Sequence, residues 1–187
     1  MPPRKVIVFA DVSRSVRKLP FWGAFSETVR AHPRGMVVEV SNPLKNVELL
    51  NATIKENLRR DELSVLLGIR LSNGRGDWSQ IRHFTPARHS KRLSQYVAGK
   101  LKSSPIPDTV TRFNAEYGPT DVERNREARE FVECAKEAGW RAVPLVILPW
   151  FEDNGRQKVS IEGDLPNMRA FGAALAHGCI DFIERWS

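Results

Sequence analysis

Asp11, Ser13 and Ser15 stand at alternate positions directly after the first apolar run of the chain. Carboxylate and hydroxyl oxygens are the ligands that hard cations such as Mg²⁺ prefer. A serine hydroxyl also becomes a nucleophile for phosphate esters where a cationic pocket stabilises the attacked group, and Arg14 and Arg70 are candidates to supply one. We therefore take Asp11, Ser13 and Arg70 as candidate catalytic residues. We expect no cofactor, and a magnesium ion on Asp11, Ser13 and Ser15 is the alternative.

A second chemistry belongs to the segment from Arg70 to Lys102, which holds eight basic residues and one acidic residue, Asp77. This surplus equals the net charge of the whole chain, +7, so the remainder is neutral. Clustered Arg and Lys attract polyanions, and aromatic residues among them suit stacking on exposed bases. The predicted polyanion-binding residues are Arg70, Arg75, Trp78, Arg82, Arg88, Lys91, Arg92 and Lys102.

The same basic segment also suits two roles that involve no nucleic acid. A run of basic residues is commonly a solvated helix face, and it can equally contact an acidic protein partner. The predicted partners are therefore nucleic acid or an acidic protein, and no membrane. The sequence leaves the oligomeric state open.

Four apolar, largely β-branched runs predict buried strands, at Lys5–Asp11, Met36–Val40, Leu63–Ile69 and Leu145–Leu148. Helical patterns lie between them. Strands that alternate with helices predict an α/β fold, a mostly parallel sheet sandwiched between helices in a Rossmann-like three-layer arrangement. Sites in such sheets collect at the carboxyl ends of the strands, where Asp11 and Arg70 would lie.

The connecting segments carry further expectations. Thr85-Pro86 starts a helix that reaches about Lys102, with Leu93, Val97 and Leu101 on its apolar side. Trp78–Phe84 is expected as a short edge strand, and Ser103–Pro119 as a loop. Asn154-Gly155 predicts a late hairpin.

Length and composition set the class. A chain of 187 residues is expected to form a single domain, residues 1–187. No apolar run approaches the roughly 20 residues needed to cross a bilayer. The run Val6–Ala10 ends at Asp11 without a cleavage site, which argues against a signal peptide. Cys134 and Cys179 fall on apolar helix faces, so we expect buried thiols and a cytoplasmic or otherwise intracellular protein.

Two local resemblances concern the residues after the first strand. Asp11-Val12-Ser13-Arg14-Ser15 resembles the metal-ion-dependent adhesion motif of von Willebrand factor A domains, which implies magnesium. That family also uses a threonine and a second aspartate from later loops, and Thr53 falls inside a predicted helix. Ser13 with Arg70-Leu71-Ser72 resembles the nucleophile and arginine loop of serine recombinases, although Ile69 replaces the usual aspartate.

The broadest resemblance, over about residues 63–187, is to zinc N-acetylmuramoyl-L-alanine amidases. Its carriers are the strand and loop Leu67–Gly74, the helix beginning Ser90-Lys91-Arg92-Leu93, the late strand running into Phe151–Asn154, and the terminal helix Phe171–Phe182. The resemblance implies the amidase architecture without its zinc ligands. The family's histidine in the third-strand loop corresponds to Arg70, its glutamate to about Leu148, and no Gly-His-Gly follows the first strand.

Three hypotheses follow. The first is a basic, non-catalytic α/β module that binds nucleic acid or another polyanion through residues 70–102. The second is a hydrolase or degenerate hydrolase, amidase-like or directed at phosphoesters, with its site around Asp11, Ser13 and Arg70. The third is a protein-interaction subunit of a larger assembly.

Overall fold

A computed structural model describes residues 4–40, 47–71, 80–104, 115–149 and 165–186. The strands in these ranges are β1 (Val6–Val12), β2 (Gly35–Glu39), β3 (Ser64–Ile69), β4 (Gln80–Phe84), β5 (Ala115–Tyr117) and β6 (Ala142–Leu148). The helices are α1 (Arg14–Arg17), α2 (Pro20–Ala31), α3 (Val47–Asn57), α4 (Ser90–Lys102), α5 (Pro119–Arg124), α6 (Arg126–Glu137) and α7 (Leu165–Glu184).

The strands form one sheet in the order β2-β1-β3-β6-β4-β5. Neighbouring strands run parallel in every pair except β4–β6, which is antiparallel. The carboxyl ends of β1, β2, β3 and β6 therefore share one edge of the sheet, the carboxyl edge. Their amino ends share the opposite edge, the amino edge, where β4 ends. The prediction of a mostly parallel sheet is confirmed.

Helices cover both faces of this sheet. Val6, Val8 and Ala10 of β1 belong to a core shared with α2, α4 and α7. Ile7 and Phe9, which alternate with them, belong to a second core shared with α3 and α6. Alternate residues of a strand point to opposite faces, so a uniformly apolar strand needs a helix layer on each side. This confirms the predicted three-layer arrangement.

Three expectations about the connections were wrong. β4 lies inside the sheet, between β6 and β5, rather than at an edge. The edge strand on this side of the sheet is β5, which falls within the predicted loop 103–119 and pairs with β4 over three residues. Helix α4 begins at Ser90 rather than at Thr85, because residues 85–89 form turns in which Ala87 N donates to Phe84 O at 3.0 Å.

Ser90 anchors that turn. Its side chain is fully buried, and its Oγ accepts a hydrogen bond from Phe84 N at 2.9 Å and donates to Pro144 O. One hydroxyl thus joins the end of β4, the start of α4 and the middle of β6. This holds the preceding residues, Arg88 and His89, at the amino edge.

The predicted hairpin at Asn154-Gly155 lies outside the described residues. Within the described ranges, no helix combines the length and the apolar character that a bilayer crossing requires.

Both cysteines are buried and free, as expected. Burial raises the pKa of each thiol from 9.0 to about 12, and around Cys134 the carboxylates Glu137, Glu133 and Glu130 add to the effect. Neither thiol is therefore expected to react with a disulfide reagent in the native protein at about pH 8, since the thiolate is the reactive form. Both should react once urea unfolds the chain.

The raised pKa values also fix the sign of a stability effect. Above the unfolded pKa of 9.0 the unfolded chain loses thiol protons that the folded chain retains up to about pH 12. The free energy of unfolding should therefore fall as the pH rises from about 9 to 12. Urea titrations of the protein and of a Cys134→Ala/Cys179→Ala variant isolate this contribution. Rapid labelling of either thiol in the native protein would contradict the prediction that both thiols are unreactive at about pH 8.

Candidate functional site

The carboxyl edge brings Asp11 and Arg70 together, although 58 residues separate them in the chain. β1 and β3 pair in register, with Asp11 opposite Gly68 and Val12 opposite Ile69. Backbone hydrogen bonds extend the sheet past the strand ends, from Ser13 N to Ile69 O at 3.2 Å and from Arg70 N to Ile147 O at 3.0 Å. The side chain of Arg70 thus begins at a fixed point beside Asp11.

Arg70 and Asp11 form a buried ion pair. Nη2 of Arg70 contacts Oδ2 of Asp11, while Nη1 donates to Asp11 O at 2.8 Å and to Ile69 O at 3.0 Å. The side chain of Asp11 is 6% exposed and that of Arg70 is 19% exposed. A guanidinium matches carboxylate and carbonyl acceptors through its planar fork of donors, so it ties the ends of β1 and β3 to each other.

A third charge, Glu127 of α6, completes the cluster. Its Oε1 lies 3.0 Å from Nε of Arg70. The attraction is electrostatic rather than a formed hydrogen bond, because this buried oxygen has no aligned donor. At this distance the opposite charges attract each other strongly, since Coulomb attraction depends little on angle. Two carboxylates thus share one guanidinium.

Glu127 is the residue that sequence reasoning missed. The chain breaks between α5 and α6 at Asn125, so that α6 begins at Arg126. The Asn125 side chain caps α6 by accepting a hydrogen bond from Ala128 N at 3.3 Å. Glu127 therefore lies in the first turn of a new helix, and the asparagine cap was the signal for it. In the same helix, Arg126 and Glu130 form an ion pair at 2.8 Å.

Ser13 and Ser15 lie nearby without joining the cluster. Their hydroxyls are 3.2 Å apart and hydrogen-bond to each other. A serine needs a base within hydrogen-bonding reach to act as a nucleophile, and a second hydroxyl is not such a base. Within the described ranges, no hydrogen bond links Ser13 to Asp11, so the candidate catalytic residues do not form a relay.

The described residues do not fit a metal centre here. A divalent ion beside Asp11 would face the positive charge of Arg70, and Ser13 and Ser15 direct their hydroxyls to each other. Zinc takes its ligands from neutral imidazoles, thiolates and carboxylates. Across the five described ranges, no three His, Cys, Asp or Glu side chains are grouped so that they could hold a metal ion.

The predicted polyanion-binding residues divide among separate places. Arg70 is engaged at the carboxyl edge, whereas Arg88 lies at the amino edge. Nε and Nη2 of Arg82 donate to Gln80 Oε1 at 3.0 and 2.8 Å, and Arg92 lies 5.3 Å from the ring centroid of Trp186.

The other basic residues of that segment are also spread out. Lys91 and Lys102 are exposed on α4, and Lys100 pairs with Asp181 at 2.8 Å. Arg75 and Trp78 lie outside the described residues. Binding of nucleic acid or of an acidic partner through residues 70–102 stays a prediction.

Comparison with known proteins gives a fold. No protein-family model matches the sequence, and no curated protein matches it. Among solved structures, N-acetylmuramoyl-L-alanine amidase AmiC2 of Nostoc punctiforme is similar at a TM-score of 0.55 and 13% identity, over 98% of this chain and 99% of that chain. An N-acetylmuramoyl-L-alanine amidase from Clostridium difficile 630 gives 0.58 and 15%, over 98% and 100%.

A third similar structure is the catalytic domain of the CD27L endolysin targeting Clostridia difficile, at a TM-score of 0.59 and 11% identity. The similarity covers 92% of this chain and 97% of that chain. It thus extends well beyond residues 63–187, where the sequence resemblance lies. This chain has the fold of N-acetylmuramoyl-L-alanine amidases.

Proposed function

We propose that this chain is a degenerate hydrolase, an amidase-fold protein that binds its ligand without metal-dependent cleavage. The observation that carries the proposal is the Arg70 guanidinium between Asp11 and Glu127 at the carboxyl edge. Sites in such sheets collect at this edge. Here the position is held by a cation that belongs to the protein itself.

The chemistry of Arg70 supports this. In the resemblance to zinc amidases, Arg70 stands where the family has a histidine. A guanidinium carries five donors and no acceptor, and it remains protonated in proteins, so it cannot donate an electron pair to a metal. Its charge also opposes that of a zinc ion. No step of a hydrolytic reaction can therefore be assigned to the described residues of this edge.

The first ligand class to test comes from the structural neighbours. Two of them are named N-acetylmuramoyl-L-alanine amidases, and the third is the catalytic domain of an endolysin. A protein that keeps such a fold without the metal chemistry is suited to recognise cell-wall fragments without cutting them. The ligand proposed on this ground is a peptidoglycan fragment that contains the N-acetylmuramoyl-L-alanine linkage.

The test measures metal content, turnover and binding on the same preparation. After exposure to zinc and dialysis, we expect the protein to retain no stoichiometric zinc, because Arg70 occupies the position between the carboxylates. We expect no cleavage of a soluble muropeptide with zinc present, and calorimetry should detect binding of the uncleaved muropeptide.

Asp11→Asn provides the control for any residual signal. Zinc retention or turnover that disappears in Asp11→Asn, while circular dichroism shows an intact fold, would mean that the carboxyl edge is an active metal site. A muropeptide that neither binds nor is cleaved would reject the proposed ligand.

A further inference from the structure

A cavity of about 660 Å³ opens at the amino edge of the sheet, opposite to Asp11 and Arg70. We call it the amino-edge cavity. Its walls come from residues just before β1, β3 and β6, from Arg88 and His89 in the turn after β4, and from the end of α7. Ligand sites for small molecules commonly enclose about 300–1,000 Å³. Residues from distant parts of the chain thus converge on a volume of that size.

The lining is strongly basic. Seven lining residues are basic and two, Asp61 and Glu62, are acidic. Glu62 is already engaged, because its Oε2 lies 3.5 Å from Nζ of Lys5 and accepts a hydrogen bond from Arg59 N at 2.9 Å. The other basic lining residues are all arginines: Arg4, Arg34, Arg59, Arg60, Arg88 and Arg141.

Several of these guanidinium groups are not neutralised. Among the described residues, the side chains of Arg59, Arg60 and Arg88 form no salt bridge. Arg141 donates to Arg59 O, and Arg4 donates to Ile183 O at 3.4 Å, so both bond to carbonyl oxygens that carry no net charge. The cavity therefore concentrates positive charge that the protein leaves available to an anion.

The pKa of His89 reflects both its burial and the positive charge at the cavity. Burial lowers its pKa below the ordinary value, and the positive charges of Arg88 and Arg92 lower it further. Its imidazole meets the ring of Trp186 edge-on, with centroids 3.9 Å apart, and Arg92 lies over that ring. One wall of the cavity is thus held in place by contacts among His89, Trp186 and Arg92.

The backbone at the cavity is strained in two places. His89 has φ 73° and Trp140 has φ 61°, and in the described ranges these are the non-glycine residues with positive φ. Both line the cavity. Such conformations persist where the surrounding structure enforces them, and they concentrate at ligand sites. At Trp140 the turn also ends α6, because Gly139 N donates to Lys136 O at 2.8 Å and Trp140 N donates to Ala135 O at 2.7 Å, so His89 is the clearer case.

We propose that the amino-edge cavity binds a small, multiply charged phosphate compound of the nucleoside di- or triphosphate class. Arginine forks match phosphate oxygens in pairs, and a ligand with several charges is needed to balance several guanidinium groups. The half-buried indole of Trp140 offers a surface for a base. A volume of about 660 Å³ lies within the range of small-molecule sites, which favours a small molecule over a polymer. This site is independent of the proposed function at the carboxyl edge.

Calorimetry of the full chain at low salt, with ATP and inorganic tripolyphosphate as probes, tests the proposal. Arg60 and Arg88 are exposed cavity residues, and Lys91 and Lys102 are exposed residues outside it. Arg60→Glu/Arg88→Glu and Lys91→Glu/Lys102→Glu change the net charge equally. We expect the first pair to weaken both probes by at least about tenfold and the second by less than about threefold.

Two further arms identify the ligand class. Trp140→Leu should weaken ATP while leaving tripolyphosphate unchanged, since only ATP carries a base to stack. A single-stranded oligonucleotide should bind more weakly than ATP. Circular dichroism checks each variant, and Arg60→Gln/Arg88→Gln replaces the charge reversal if that variant fails to fold.

Three outcomes overturn the proposal. The first is that neither ATP nor tripolyphosphate binds at low salt. The second is that the two charge-reversed variants lose affinity equally. The third is that the oligonucleotide binds and ATP does not. The last would point to the nucleic-acid hypothesis instead. Muropeptide binding and ATP binding are measured separately, so either proposal can fail without the other.

Discussion

Replacing Arg70 with methionine is expected to lower the free energy of unfolding by about 3–5 kcal/mol, the range seen when one partner of a buried ion pair is removed. Arg70 contacts Asp11, whose side chain is 6% exposed, and it lies 3.0 Å from Glu127 Oε1. Methionine fills much of the same volume but has no charge. Two carboxylates would then remain at the carboxyl edge without the cation that compensates them, and with little water to solvate Asp11.

The measurement is urea denaturation of the protein and of Arg70→Met at the same pH. Arg169→Met is the matched control, since Arg169 also pairs with a glutamate, Glu27 at 2.8 Å, but the two side chains are 49% and 66% exposed. Exposed pairs contribute about 0–1 kcal/mol, so this variant should stay within that range. Asp11→Asn/Arg70→Met should recover part of the loss, because it also removes the buried negative charge. A loss below about 1 kcal/mol in Arg70→Met would mean that the pair does not stabilise the edge.

The sequence predicts the central strands well, because strands that are buried on both faces are apolar at every position. Val6 to Ala10 and Val65 to Leu67 are apolar without alternation, and each strand supplies both cores. β5 shows no such pattern, since Ala115–Tyr117 pairs with one neighbour over only three residues. The predicted start of α4 was wrong because proline, here Pro86, is common in turns as well as at helix starts. The hydrogen bonds of the turn decide between a turn and a helix at this point. The pattern of residue types alone does not predict these hydrogen bonds.

The carboxyl-edge cluster was half predictable. Asp11 and Arg70 each follow a predicted parallel strand, so the topology alone places them at one edge. Their ion pair is not predictable from the sequence, because an arginine at this position suits a bound phosphate equally well. Glu127 reaches the cluster from α6, whose position relative to β3 depends on close packing of Phe131 against Gly68. A Cβ added at Gly68 would lie 2.9 Å from Cζ of Phe131.

A count of the charges along the sequence does not predict the amino-edge cavity. Arg4, Arg59 and Arg141 precede different strands, and the charges around Arg59 and Arg141 nearly balance. The sequence showed one contiguous basic segment, and the fold divides it between both edges of the sheet. Folding instead gathers arginines that are far apart in sequence, because parallel strands bring their amino ends together.

The second large effect is expected where α7 packs on its neighbours through glycines. A Cβ added at Gly172 would overlap the carbonyl oxygen of Phe21 and would lie 3.0 Å from its carbonyl carbon and 3.1 Å from Phe25 N, all in the backbone of α2. A Cβ at Gly178 would lie 2.6 Å from Cα of Val97 in α4. Main-chain atoms cannot rotate away as a flexible side chain does, so the helices themselves would have to separate.

Gly172→Ala and Gly178→Ala are each expected to lower the free energy of unfolding by about 3 kcal/mol, the upper part of the usual range for overpacking, measured by urea denaturation. Gly23→Ala is the matched control. It lies inside α2, and no atom lies within 4 Å of its added Cβ. Alanine there should stabilise the protein by about 0.5–1 kcal/mol, because it restricts the unfolded chain. If all three variants gained stability alike, helix propensity would outweigh packing, and the close approach of α7 to α2 and α4 would not hold in solution.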